Sequence, residues 1–248
     1  RNDIYMRIVI LTSNAVRHKY LANTLTKAAD EAMVISECKG NDILDAESLG
    51  RPLTPLENHF YSRHLAEKKF FGGNDVFIAK TLPMLEKEVN LKYPYEVVKD
   101  FNPDMMFVFG SSIIRQPMLS AVPSGHFINL HLGMSPYYRG AGTNFWPFVN
   151  KELEYVGSTI IHIDAGIDTG DIITHVRPKI ELGDTVHTVG CKVIQSSAEM
   201  LVKIMGIVRE GKTLPRVKQW QTPNKHYYRK KDFNEEINRL DSELKKVT

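Results

Sequence analysis

Short, mostly apolar runs recur along the chain, each followed by a turn signal, and they predict buried β-strands. Residues 7–12, 105–109 and 126–130 are such runs, with β-branched or bulky side chains at most positions. Runs without the alternation of a half-exposed strand are typical of parallel strands covered on both faces. Further strands are expected at 32–35, 156–163 and 171–176.

Segments with helical spacing of apolar residues separate these strands. The spacing predicts helices over 16–28, over 58–71, where Gly72-Gly73 ends the helix, and over 82–91. A long helix is expected after Asp184, which is placed to cap it. Its expected end is Gly211, and shorter helices are expected at 117–121 and from 143 to 150. Strands that alternate with helices predict an α/β fold with a doubly wound, mostly parallel sheet of Rossmann-like type.

Composition and charge exclude several classes of protein. The 248 residues are 42% hydrophobic and 25% charged, which is typical of a globular chain, and no apolar run approaches the ~18 residues that cross a bilayer. With 32 basic against 29 acidic residues, the net charge of +3 is too small to predict nucleic-acid binding. The basic run at 229–231 is interpreted as a solvated face, and RNA binding through this run is the weaker alternative.

The two cysteines, Cys38 and Cys191, predict neither a disulfide framework nor a metal site. No secretory pattern opens the sequence, so a reducing, cytoplasmic setting is expected, with no membrane partner and no bound metal.

The pattern predicts one α/β domain over residues 1–211 and a C-terminal extension over 212–248 that is too short to fold independently. Within the extension, Ile237, Leu240 and Leu244 are spaced as one stripe of a helix. We interpret the stripe as packing on the protein's own core, and pairing with a second subunit in a homo-oligomer is the alternative.

Polar residues at the expected strand ends carry the candidate chemistry. Ligands of doubly wound sheets bind beyond the carboxyl ends of the strands, where Asn129 and His131 lie two residues apart and face the same side. Asp168 lies in a downstream loop rich in glycine and aspartate. An amide, an imidazole and a carboxylate together suit acyl transfer, whereas each residue taken singly is more often a strand-end cap, a buried histidine or a turn residue.

Two longer motifs resemble the signature of the folate-dependent formyltransferases. The first is Phe-Ile-Asn-Leu-His at 127–131 with Met-Ser-Pro-Tyr-Tyr-Arg-Gly at 134–140. The second is Gly-Ser-Thr at 157–159 with Asp-Ala-Gly-Ile-Asp-Thr-Gly-Asp-Ile-Ile at 164–173. The resemblance extends over about 6–211. The family includes glycinamide ribonucleotide transformylase, methionyl-tRNA formyltransferase and amino-sugar formyltransferases, and the tail loosely resembles small sugar N-formyltransferases.

The resemblance implies a formyltransferase fold and an enzyme that uses 10-formyltetrahydrofolate as its formyl donor. It implies that Asn129, His131 and Asp168 are the catalytic residues. It further implies that the pterin lies between two segments, Ser112, Ile113 and Ile114 on one side and Ile163, Asp164, Ala165, Gly166 and Ile167 on the other.

The acceptor is less well defined, because the chain departs from the family pattern on that side. Gly-Met-Ser-Pro at 133–136 replaces the usual residues after the histidine, and the first loop lacks the glycines that hold the phosphate of glycinamide ribonucleotide. Residues of that first loop and one arginine are candidates to hold an anionic substrate instead: Ser13, Asn14, Arg17, His18 and Arg139.

The favoured function is formyl transfer to a primary amine of a small metabolite, with a nucleotide-linked amino sugar as the preferred acceptor. The extension is expected to be too short for the tRNA-contacting domain of methionyl-tRNA formyltransferases. The alternatives are a phosphoribosylglycinamide formyltransferase, a formyltetrahydrofolate hydrolase and a folate-binding module without catalysis.

Overall fold

The computed structural model describes the backbone of residues 4–40 and 47–247 and the side chains of residues 4–40 and 48–240. In chain order the strands are β1 Arg7–Ser13, β2 Glu31–Cys38, β3 Lys80–Leu85, β4 Met105–Phe109, β5 Phe127–His131, β6 Tyr138–Gly140, β7 Ser158–His162, β8 Ile172–Val176 and β9 His226–Tyr228. The α-helices are α1 Val16–Ala28, α2 Pro55–Phe71, α3 Lys92–Phe101, α4 Trp146–Val149, α5 Val186–Arg209 and α6 Lys230–Val247.

Seven of the strands form one sheet in the order β3-β2-β1-β4-β5-β7-β8. Strands β1 to β5 run parallel to one another, and β7 is antiparallel to both β5 and β8. The sheet is therefore mostly parallel, as predicted. The chain winds from β1 through β2 to β3 and then returns to β4 beside β1, which makes the fold doubly wound.

Alternate residues of the central strands point into two separate apolar layers. Ile8 and Ile10 of β1 pack with helices α1 and α5, whereas Val9 and Leu11 of the same strand pack with α3. All four side chains are fully buried. Both faces of β1 are thus covered, which is why its sequence reads as a continuous apolar run.

Three predictions of secondary structure are wrong in detail. The segment 82–91 is not a helix: its first part lies in β3, an edge strand in which Leu82 and Met84 pack on the core while Lys80 and Leu85 are exposed. The spacing of apolar residues here fits either period, and pairing with β2 decides for the strand. Helix α5 is capped by Thr185 rather than Asp184, through a capping box with Thr188.

The segment expected as a short helix at 117–121 is a 3₁₀ turn, Met118–Ser120. Helix α3 was not anticipated from the sequence. No described helix is long and apolar enough to cross a membrane.

The C-terminal segment packs against the rest of the chain through an aromatic cluster. Strand β9 pairs with β6, the Tyr228 ring stacks on Trp146 at 3.8 Å between centroids, and Phe233 contacts Phe145 edge-on at 4.9 Å. Ile237 is buried and Leu240 partly buried in the same cluster, so this part of the predicted stripe faces the protein's own core. The side chain of Leu244 lies outside the described residues.

A pair of histidines joins helices α2 and α5 in this region. The rings of His59 and His187 lie 4.5 Å apart, and His59 also meets the Phe233 ring edge-on at 5.2 Å. Burial lowers the pKa of His59 from 6.5 to about 4, with smaller contributions from His187 and Arg63. Burial also lowers the pKa of His187 to about 4, again helped by Arg63.

We expect the two histidines to make the fold acid-sensitive. Below pH 6.5 the unfolded chain binds protons at His59 and His187 that the folded protein excludes until about pH 4. The free energy of unfolding should therefore fall between those values, by about 2 kcal/mol in total once solvent screening of half-buried rings is allowed for. Urea unfolding at pH 7.5 and pH 4.5 measures this loss. A His59→Gln, His187→Gln double variant should reduce the difference by about that amount, and the rest should persist because the pKa values of His18 and His162 are also lowered. An unchanged difference would contradict the assignment.

Candidate active site

A cavity of about 380 Å³ opens at the point where the winding of the sheet reverses. Doubly wound sheets bind ligands just beyond the carboxyl ends of adjacent parallel strands. Three stretches supply most of the wall: residues 108–114 after β4, 129–132 at the end of β5, and the loop 163–168 without Ala165. Arg17, His18, Gly140 and Thr143 complete it.

The carboxylate of Asp168 bridges the two polar side chains at the end of β5. Its Oδ1 accepts a hydrogen bond from Asn129 Nδ2 at 3.0 Å, and its Oδ2 lies 3.2 Å from His131 Nδ1. Asn129 and His131 are two residues apart on one strand, so both face the cavity, and Asp168 reaches them from the loop between β7 and β8. The structure thus brings together the three residues that the sequence singled out.

Opposing effects act on the charge of Asp168. Burial raises the pKa of its carboxyl, but the hydrogen bonds from His131 and Asn129 and the positive charge of Arg139 outweigh burial and hold the pKa below its ordinary value. The residue is therefore a carboxylate at neutral pH. Its partner His131 has only 7% of its side chain exposed, so the pair lies largely out of water.

The imidazole of His131 has an acceptor at each nitrogen. Nδ1 faces the Asp168 carboxylate, and Nε2 lies 3.1 Å from the carbonyl oxygen of Tyr138. A neutral ring carries a single N–H and can donate to only one of these acceptors, whereas a protonated ring donates to both. Both ring nitrogens are therefore engaged, one by the carboxylate and the other by the carbonyl oxygen.

The loop that carries Asp168 is tightly turned and internally bonded. Asp168 itself has a left-handed backbone, with φ of 53°. The carboxylate of Asp164 accepts hydrogen bonds from the Gly166 amide at 3.1 Å and from the Thr169 hydroxyl. A Cβ atom at Gly170 would overlap the carbonyl oxygen of His162, so only glycine fits there. Asp164, proposed from the sequence as a cofactor contact, thus also holds the loop's shape.

The opposite wall, residues 110–114, is held from behind by a buried carboxylate. Glu37, at the end of β2, accepts hydrogen bonds from the Ser112 amide at 2.8 Å and the Ser112 hydroxyl at 3.1 Å. Asn90 Nδ2 donates to the Ile113 carbonyl at 2.8 Å. By contrast, the Ser111 hydroxyl is buried beside the cavity and has no hydrogen-bond partner among the residues that the structure describes.

The first loop of the chain lines a second cavity, of about 340 Å³, that shares Arg17 and His18 with the first. Arg17 Nη1 lies 3.1 Å from Glu67. The Ser13 hydroxyl donates to the Gly110 carbonyl at 2.5 Å, and the Asn14 amide pairs with the backbone of Lys39. Both polar side chains thus fasten the loop while lining the second cavity only.

The charge around this second cavity is mainly positive. Arg17, Lys19, Lys39 and Arg63 line it, and Glu67 is the one acid among its described lining residues. Burial lowers the pKa of His18 well below its ordinary value, with added repulsion from Arg17, Lys39 and Arg63. His18 is therefore neutral and the cavity's charge comes from lysine and arginine.

Arg139 links β6 to the loop of Asp168. Its Nη2 donates to the Ile167 carbonyl at 2.6 Å, while its Nε is buried and has no hydrogen-bond partner within the described part of the chain. Arg139 itself lies beside the first cavity rather than in its wall, which its neighbour Gly140 enters.

Sequence reasoning missed several residues that shape this site. They are the Ser111 hydroxyl, the carboxylate of Glu37, the carbonyl of Tyr138 and the side chain of Gln219. None carries a local signal: a backbone carbonyl has no sequence signature, and the contacts of Glu37 and Gln219 join residues far apart in the chain. Among described residues, no three acids, histidines or cysteines group as metal ligands.

Comparison with known protein families shows to which family this chain is related. A model of the formyl transferase family matches residues 6–205 of this chain. The chain belongs to the formyl transferase family. The match covers every strand of the large sheet and confirms the resemblance seen in the two motifs.

Known members of the formyl transferase family differ in what they formylate. A methionyl-tRNA formyltransferase from Clostridium tetani is 34% identical over 117 residues, which are 47% of this chain but only 37% of that protein. Glycinamide ribonucleotide transformylase 1 from Symbiobacterium toebii superposes with a TM-score of 0.57 at 19% identity, covering 88% of this chain and 96% of that one.

A second solved structure with this fold is the formyltransferase PseJ from Anoxybacillus kamchatkensis, with a TM-score of 0.53 at 21% identity. The match covers 92% of this chain and 88% of PseJ, whose structure holds UDP-4,6-dideoxy-4-formamido-L-AltNAc and tetrahydrofolate. At these identities the two solved structures establish a shared fold.

Proposed function

We propose that this chain transfers a formyl group from 10-formyltetrahydrofolate to a primary amine of a small metabolite. The observation that carries the proposal is the carboxylate of Asp168, which bonds Asn129 and His131 at the mouth of a strand-end cavity. A simple binding site does not need this arrangement, because the imidazole and carboxylate together serve to stabilise and move charge.

The first cavity has the chemistry expected of a pterin site. Val108 and Ile114 offer apolar surface for a flat ring, and the unpartnered Ser111 hydroxyl offers one hydrogen bond at its edge. Opposite them, the backbone of 163–168 carries amide and carbonyl groups along the loop. We assign the cofactor contacts to Ser112, Ile113 and Ile114 and to Ile163, Asp164, Gly166 and Ile167, and add Ser111 to them. Ala165, which the sequence also suggested, is exposed and does not line this cavity.

The reaction that follows from these groups is an acyl transfer with balanced protons. The acceptor amine attacks the formyl carbon, and the carbonyl oxygen becomes an oxyanion. One hydrogen of the Asn129 amide is committed to Asp168, so the other remains for the oxyanion. When the carbon–N10 bond breaks, the proton lost by the acceptor nitrogen is delivered to N10, leaving a formamide and tetrahydrofolate.

We assign His131 the role of a donor that carries a hydrogen on each nitrogen when it is protonated. Asp168 then stabilises the imidazolium from the Nδ1 side, and the hydrogen on Nε2 faces the Tyr138 carbonyl, 3.1 Å away. To donate to an oxyanion, this hydrogen must leave the Tyr138 carbonyl or be shared between that carbonyl and the oxyanion. The interaction therefore grows as charge develops, which is the requirement for lowering the barrier.

We assign the acceptor's anionic part to the second cavity. Four cations face one carboxylate there, and Arg17 and His18 connect this cavity to the catalytic one. Anions are favoured beside such a group and beside the N-terminus of α1. Ser13, Asn14, Arg17 and His18 are the proposed contacts, with Arg139 towards the sugar, and a nucleotide-linked amino sugar is the favoured acceptor.

An acceptor screen with 10-formyltetrahydrofolate tests the proposal. We expect tetrahydrofolate to be released only when an amino sugar linked to a nucleoside diphosphate is added, with the formyl group recovered on that amine by mass spectrometry. Glycinamide ribonucleotide and methionyl-tRNA are the comparison acceptors. Steady release without any amine would instead identify a hydrolase, and folate binding without release would leave only a binding module.

A further inference from the structure

The residues just after α5 contact the catalytic loop from outside. We call residues 215–219 the clasp. The Pro215 carbonyl lies 2.9 Å from His162 Nε2, and Val217 exchanges two backbone hydrogen bonds with Ile172, at 2.7 and 3.0 Å. The clasp therefore grips both strands between which the Asp168 loop runs, and it lies beyond the stretch 6–205 that the family model matches.

One side chain of the clasp reaches the loop itself. Gln219 Nε2 donates to the Asp168 carbonyl at 2.8 Å and to the Gly170 carbonyl at 2.9 Å. The two hydrogens of one amide group thus match two carbonyls that flank Thr169. The pair of bonds fixes the backbone on the C-terminal side of Asp168.

This backbone determines where the Asp168 carboxylate points. Asp168 holds a left-handed conformation, which a non-glycine residue keeps only when its surroundings enforce it. The preceding part of the loop is held by the Asp164 carboxylate and by the contact of Arg139 with Ile167. In the part from 168 to 170, the Thr169 hydroxyl donates to Asp164, and Gln219 holds the two carbonyls on either side of Thr169.

We propose that Gln219 is a positioning residue: by holding the carbonyls of Asp168 and Gly170, it aims the Asp168 carboxylate at Asn129 and His131. The proposal rests on the proposed function, in which Asp168 takes part in formyl transfer. Gln219 acts through Asp168 and touches no reacting atom.

A substitution at position 219 can remove the side-chain contact without disturbing the clasp, because the clasp pairs with Ile172 through backbone groups of Val217. Gln219→Met keeps the length of the side chain and removes both donors. Gln219→Glu keeps the shape and sets a carboxylate against two carbonyls. The matched control is Gln221→Met, since Gln221 is exposed and bonds only to Lys225 in the described contacts.

We expect Gln219→Met to lower kcat by roughly 10–10²-fold, which is the effect of displacing a catalytic group by about 1 Å. The KM for the formyl donor should stay within about twofold of the wild-type value. Gln219→Glu should lose at least as much, and Gln221→Met should match the wild type. When the Asp168 carboxylate loses its alignment, its pKa should rise towards the ordinary value, and the acid limb of the kcat profile should move to higher pH.

Two results would overturn the proposal. One is a kcat and an acid limb in Gln219→Met that equal those of the wild type; the other is equal losses in Gln219→Met and Gln221→Met. A crystal structure of Gln219→Met gives a readout that needs no activity, because the hydrogen bond between Asp168 and Asn129 should be broken. If that bond persists, the proposal fails, whereas wild-type protein that transfers no formyl group contradicts the proposed function alone.

Discussion

His131→Ala is expected to lower kcat for formyl transfer by roughly 10²–10³-fold, the usual cost of removing one donor to a developing oxyanion. The imidazole is the ionisable donor at the end of β5, and its contacts with Asp168 and the Tyr138 carbonyl hold it in place. Because the effect arises in the transition state, binding of tetrahydrofolate should change little. Single-turnover kinetics and isothermal titration with tetrahydrofolate measure the two quantities separately.

His126 is the matched control for this variant. It lies just before β5, at the opposite end of the strand, where its Nδ1 faces the Asp104 carbonyl at 2.9 Å. His126→Ala should retain the wild-type kcat. Unchanged turnover in His131→Ala, with the protein folded, would remove His131 from the mechanism.

Asp168→Asn is expected to lower kcat by a similar factor, roughly 10²–10³. Asparagine tolerates the left-handed backbone that Asp168 adopts, so the loop should keep its shape. The change removes the negative charge that stabilises the imidazolium and leaves one oxygen for two donors, Asn129 and His131. Steady-state kinetics with a melting curve for each variant separate loss of chemistry from loss of fold.

Asp100→Asn provides the control, because Asp100 is an exposed residue of helix α3 and lines neither of the two cavities. A double variant, Asp168→Asn with His131→Ala, adds a sharper criterion. If the two residues act as one unit, the double variant should be no slower than the slower single variant. Multiplied losses would show that they act independently.

The central sheet could be predicted from the sequence because burial on both faces leaves a signature. The runs in β1, β4 and β5 are nearly continuous since helices cover each side of the sheet. The edge strand β3 lacks this signature: it is half-exposed, and Leu82 and Met84 fit a helical spacing as well as a strand. Pairing with β2, a contact from another part of the chain, decides between them.

Site residues with a local sequence pattern could be predicted, and site residues with only distant contacts could not. Asn129 and His131 share a strand, and Asp168 lies in a loop with an uncommon density of glycine and aspartate, so local pattern exposed all three. Glu37 and Gln219 act on the site across separations of 75 and 51 residues, respectively. A polar residue with a single distant partner looks, in the sequence, like any solvent-exposed one.

The two edges of the large sheet determine whether copies of this protein can pair strand to strand at high concentration. At one side the outermost strand carries Pro83, which has no N–H, and begins with the exposed Lys80. At the other side, Val217 occupies backbone groups of Ile172 that would otherwise stay open. An unpaired edge strand can pair with a strand of another molecule and start aggregation. A proline, a lysine or a segment that covers the edge blocks this pairing. We therefore expect these features to hinder strand-by-strand association at both borders of the sheet.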